Sequence, residues 1–130
     1  MVKQKKNLQE IASEFESITI ESGASEDIRS VLEEIKKSDG VVGYILRNTT
    51  SAAIDLKDPT KVIDYAILSS SAFEASEQLS ELFDLGKVKN IIVEGKNTKT
   101  LHLRIGENNI SIFMEKSADA KKILEQMHVP

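Results

Sequence analysis

His102 and His128 are the two imidazoles of this chain of 130 residues, which holds no cysteine. Thiol catalysis, disulfide frameworks and Cys-based zinc or iron–sulfur sites are thereby excluded, and two histidines are too few for a His-dominated metal centre. His102 falls on the polar parity of an alternating stretch, beside Thr100 and Arg104, and reads as a solvated or interface histidine. Ser69-Ser70-Ser71 offers hydroxyls, but no histidine stands in the same element. These serines therefore read as small residues for packing, not as nucleophiles. The six glycines, at positions 23, 40, 43, 86, 95 and 106, form neither G-x-x-x-x-G-K nor G-x-G-x-x-G, the loops that cradle phosphates. Glu33-Glu34 and the series Glu74, Glu77, Glu81 have helix-surface spacing and read as solvated faces. No catalytic residue, metal or cofactor is expected.

Composition narrows the class further. Seventeen Lys and Arg against twenty-one Asp and Glu give a net charge of -4, the wrong sign for non-specific nucleic-acid binding. Hydrophobic residues at 40% and charged residues at 29% describe an ordinary soluble domain with enough apolar content for a core. The longest apolar run, Val41 to Leu46, is too short for a membrane span. Lys3, Lys5 and Lys6 have too few apolar neighbours for a membrane-surface anchor. Met1 to Lys6 lack the apolar core of a signal peptide, so a cytoplasmic protein is expected.

The elements that would position these residues follow from periodicity. Leu8, Ile11, Ala12, Phe15 and Ile18 recur as the stripe of an amphipathic helix. Ser25 is the expected N-cap of a second helix carrying Ile28, Val31, Leu32 and Ile35, closed by Asp39-Gly40. Val41 to Leu46 is apolar on both parities and reads as a strand covered on both faces. After the turn Asn48-Thr49-Thr50, residues 51–56 read as a weaker edge strand. Asp58 caps and Pro59 opens a long helix in which no breaker appears before Gly86. Strands are then expected at 87–94, 98–105 and 110–114. In the second, Leu101, Leu103 and Ile105 point inward and Thr100, His102 and Arg104 outward. Ser117 is the expected cap of a last helix carrying Ala120, Ile123, Leu124 and Met127.

This order, without its first helix, resembles the roadblock/light-chain family, named for a dynein light chain. The carriers are Leu32-Glu33-Glu34-Ile35, Asp39-Gly40-Val41-Val42-Gly43-Tyr44-Ile45-Leu46 and Leu82-Phe83-Asp84-Leu85-Gly86. Asn90-Ile91-Ile92-Val93-Glu94, Leu101 to Glu107 and Ile110 to Met114 are similar to its third, fourth and fifth strands. Asn48-Thr49-Thr50 departs from the family's usual Asp-Gly turn, at a hairpin tip only. The resemblance implies an α/β (α+β) fold: a five-stranded antiparallel sheet, one long helix on one face and two shorter helices on the other. Residues 23–130 would form that domain, and residues 1–22 an amphipathic helical extension. It also implies a homodimer joined through the long helix and third strand, acting as a scaffold or regulator for a Ras-like small GTPase. The alternative is a structural adaptor subunit of a larger complex without GTPase contact.

The long helix bears on the dimer independently. At about 100° per residue its apolar positions sweep an arc of roughly 200°, wider than an ordinary surface helix. Leu68, Ala72, Ala75, Leu79 and Leu82 lie on one flank and Val62, Ala66 and Phe73 on the other, with Ser69, Ser76 and Ser80 between them. One sheet face does not cover so wide an arc. The expected dimer interface is Leu68, Ser69, Ala72, Ala75, Ser76 and Leu79, with Ile91 and Val93 from the strand that follows.

Overall fold

The computed structural model describes residues 23–127; the expected N-terminal helix and His128 lie outside the described residues. Helix α1 (Gly23–Lys36) leads into β1 (Val41–Arg47) and β2 (Ala52–Leu56). A 3-10 turn at Pro59–Lys61 opens α2 (Val62–Phe83). A meander of β3 (Asn90–Glu94), β4 (Thr98–Ile105) and β5 (Asn108–Glu115) follows, and then α3 (Ala120–Met127). The strands form one five-stranded sheet in the order β2-β1-β5-β4-β3, antiparallel throughout.

Register decides which side chains meet which helix. Tyr44 and Leu46 stand opposite Ile112 and Ile110, and Leu101 and Leu103 pair with the same two residues from the other side. Paired positions share a face, so one face is a continuous aliphatic plate. Leu32 and Ile35 of α1 and Ile123 and Met127 of α3 close over it as one core. Each such side chain, fully buried, contributes about 1.5–3 kcal/mol before ordering entropy. The opposite parity, with Ile45, Ser111, Phe113, Thr100 and His102, faces α2.

Local chemistry explains most element boundaries and corrects several expectations. Asp58 caps as its sequence position suggests: its Oδ1 accepts hydrogen bonds from the Thr60 amide at 3.1 Å and the Thr60 hydroxyl at 2.6 Å. Helix α2 stops at Phe83, ahead of the expected Gly86, because Asp84 takes a left-handed φ of 51° and returns its N–H to the Ser80 carbonyl. Helix α1 already includes Gly23, two residues ahead of the start expected at Ser25. The cap of α3 is Asp119 rather than Ser117, its carboxylate accepting from the Lys122 amide at 3.1 Å. Strand β3 begins only at Asn90, opposite Leu103, and residues 87–89 carry the chain from the helix end to the sheet. Gly43 sits at a β1 irregularity with φ 150°, where a Cβ would lie 2.3 Å from the Asp55 carbonyl oxygen. Only glycine fits so close to β2.

Candidate interaction face

Helix α2 turns a line of small residues toward the sheet. Ser69, Ala72 and Ser76 are buried there with Val62 and Phe73. Beneath them lies a chain of polar groups. The Ser69 and Ser111 hydroxyls are 2.6 Å apart, Ser111 Oγ is 2.7 Å from His102 Nδ1, and His102 Nε2 is 2.8 Å from Thr100 Oγ1. Phe73 meets the His102 ring edge-on at 5.8 Å, and Tyr65 stacks on Phe113 at 4.3 Å. Among the described residues no buried side-chain polar atom lacks a partner.

This overturns the outward reading of β4. Thr100 and His102 are each 2% exposed. Alternation along a strand separates two faces but does not say which is wet, and here the polar face is roofed by α2. Burial drives the His102 pKa down from 6.5 to about 4, so the ring is neutral near pH 7. The spacing of Ser111 and His102 is that of a nucleophile and its base, a juxtaposition between two strands that proximity along one element does not reveal. The available signal was that Ser111 and His102 share a parity in adjacent strands. Ser111 is fully buried beneath α2, which closes the pair off from solvent, and its hydroxyl also meets Ser69 of the helix.

The other side of α2 is uncovered. Leu79 is 44% exposed, Leu82 75% and Phe83 66%. Ala75 is exposed and Leu68 half-buried. At about 100° per residue, Leu68, Ala75, Leu79 and Leu82 fall on one flank, and Glu77 falls on the other. Glu77 there accepts a hydrogen bond from Arg104 at 2.6 Å, while the guanidinium lies 5.3 Å from the Phe73 ring centre. Strand β3 is one of the two edges of the sheet, β2 being the other. Its Ile91 and Val93 pair with His102 and Thr100, so they share the α2 face; Ile91 is half-buried and Val93 38% exposed. A cleft of about 10 Å³ between Ala72, Phe73, Ile91 and His102 shows that helix and edge strand adjoin, with room for no more than one water.

The expected interface residues therefore divide. Ser69, Ala72 and Ser76 point into their own sheet, whereas Leu68, Ala75, Leu79, Ile91 and Val93 border open surface. The described residues hold no cluster of three or more His, Cys, Asp or Glu that could bind a metal, and no helix long and apolar enough to cross a membrane.

The chain matches no protein-family model and no curated protein. Solved structures do resemble it. A Roadblock/LC7 domain from Streptomyces avermitilis superposes with a TM-score of 0.61 at 16% identity, over 76% of this chain and 83% of that one. The fold is that of a Roadblock/LC7 domain. The gliding protein MglB from Thermus thermophilus shares it, with a TM-score of 0.63 at 17% identity over 85% of this chain and 87% of the other. MglB described in a tetrameric arrangement gives 0.61 at 17% identity over 85% and 86%. In this Roadblock/LC7 fold α2 is the long helix on one face of the five-stranded sheet, as the sequence resemblance implied, and β3 is an edge strand beside it.

Proposed function

We propose that the protein is a non-enzymatic homodimeric scaffold or regulator that binds a Ras-like small GTPase. The observation that carries the dimer is the continuous open surface made by the outer flank of α2 and the edge strand β3. Large exposed apolar patches mark association sites, and an unpaired edge invites strand addition unless another chain covers it. A two-fold axis beside β3 would pair strand with strand and helix with helix, as an isologous interface requires. The tetrameric arrangement described for MglB is in keeping with self-association on this fold. The GTPase half of the reading rests on the Roadblock/LC7 resemblance.

Two measurements test the two halves. Light scattering at micromolar concentration is expected to give about twice the chain mass of 14.4 kDa; a monomer mass ends the dimer reading. Affinity capture from native lysate is expected to co-elute a GTPase. A stable capture of larger assemblies with no GTPase would leave the adaptor role instead.

A further inference from the structure

We propose that residues 8–18 dock onto their own chain, laying an apolar stripe into the groove between α3 and the segment that leads into β3. The groove has a volume of about 320 Å³; Ile105 and Leu124 are its open apolar residues, the nearly buried Leu103 and Met127 form its floor, and Lys87 and Lys89 also line it. Ile105 and Leu124 are only partly buried against the core, so apolar surface there is uncovered.

The occupant is identified by position and by charge. Helix α1 turns into β1 at residues 37–40 and is joined to it by the Tyr44 hydroxyl donating to Glu33. It therefore runs back along β1, and its start at Gly23 lies at the end of the sheet where Arg47 pairs with Asn109 and Ile105 with Asn108. Ile105 and Met127 bring the groove to that same end. Residues 19–22, extended, span up to about 13 Å, and residues 8–18 as a helix cover about 16 Å. So short a tether keeps the segment near that end of the sheet.

Leu8, Ile11, Phe15 and Ile18 form the stripe, and projection places Glu14 and Glu16 on its two sides. Residues 8–21 contain Glu10, Glu14, Glu16 and Glu21 and no base. Helix α2 likewise carries Asp64, Glu74, Glu77 and Glu81 and no base, so it repels this segment, whereas Lys87 and Lys89 attract it. The groove is lined mainly from α3, β4 and the segment before β3, away from the outer flank of α2 that the proposed dimer uses.

The absence of cysteine allows a single nitroxide label at Ser17→Cys, on the polar side of the segment, in the full chain. Methyl NMR is expected to show loss of most signal intensity at Ile105 and Leu124, with Leu79 and Leu82 unchanged. Lys87→Glu with Lys89→Glu is expected to restore those signals at least twofold, and adding Glu14→Lys and Glu16→Lys to remove them again. Broadening centred on α2, broadening nowhere, or indifference to the charge reversals overturns the proposal. So does broadening in a mixture of spin-labelled, isotopically silent chain with unlabelled, isotope-marked chain, which would place the segment on a second copy. Light scattering on the same samples reports the dimer separately.

Discussion

His102 engages Ser111 and Thr100 through its two ring nitrogens at 2% exposure, and this makes folding sensitive to pH. Its pKa is about 4 in the folded chain against an ordinary value near 6.5. Between those values the unfolded chain binds more protons than the folded one, so stability falls as pH drops from about 6.5 to about 4. A shift of that size corresponds to about 3 kcal/mol when complete. Urea unfolding at a series of pH values is expected to show this loss in the wild type. In His102→Gln it should be smaller by about that amount, on a lower baseline at pH 7; equal slopes in both chains would mean that His102 titrates freely. Gly43 is the second residue on which the fold leans. In Gly43→Ala the new methyl meets the Asp55 carbonyl and Leu56, which should cost about 2–5 kcal/mol through strain and displacement of β2. An unchanged urea midpoint would refute that close approach.

At the scale of elements, α2 does two jobs with two faces. Its inner line of Ser69, Ala72 and Ser76 lets the helix sit close on the sheet, and its outer flank of Leu79 and Leu82 stays open. Substitutions on the two faces should therefore fail differently. Leu79→Glu is expected to leave a folded monomer, because the new carboxylate is solvated in one chain but buried in the proposed dimer. Ala72→Glu puts a charge where the wild-type side chain is 7% exposed, and should yield insoluble or unfolded protein. Glu74→Lys, on an exposed position, should keep the dimer mass. Circular dichroism with light scattering separates the three. If Leu79→Glu keeps the dimer, the α2 flank is not the interface.

For the whole molecule, the testable expectation concerns nucleotide. No backbone cradle of the G-x-x-x-x-G-K kind exists for a triphosphate, and catalysis of phosphoryl transfer is mostly positioning and charge stabilisation. The purified protein is expected to show no heat of binding with GTP and no phosphate release above buffer. A stoichiometric nucleotide retained through purification would overturn this. Any influence on a GTPase would then be exerted through contact surfaces.

The order of elements and the inward parity of Leu101, Leu103 and Ile105 were legible in the sequence, while the covering of one sheet face by α1 and α3 was implied by the family resemblance. Hydrophobic periodicity is a local signal, and it located β1, β4 and β5, the long helix and the Asp58–Pro59 start from neighbouring residues alone. The fate of the polar positions depended on long-range packing. Thr100, His102 and Ser111 have the alternation of a wet face, yet α2 covers them, because burial depends on what packs from far along the chain. That packing also sorted the small residues of α2 from its leucines. A wide apolar arc indicates that two surfaces are needed, but only the sheet beneath Ser69, Ala72 and Ser76 shows which part of the arc is already used. The helix end moved from Gly86 to Asp84, and one cap from Ser117 to Asp119, for a more local reason. Several residues in each stretch could serve, and backbone geometry selects among them.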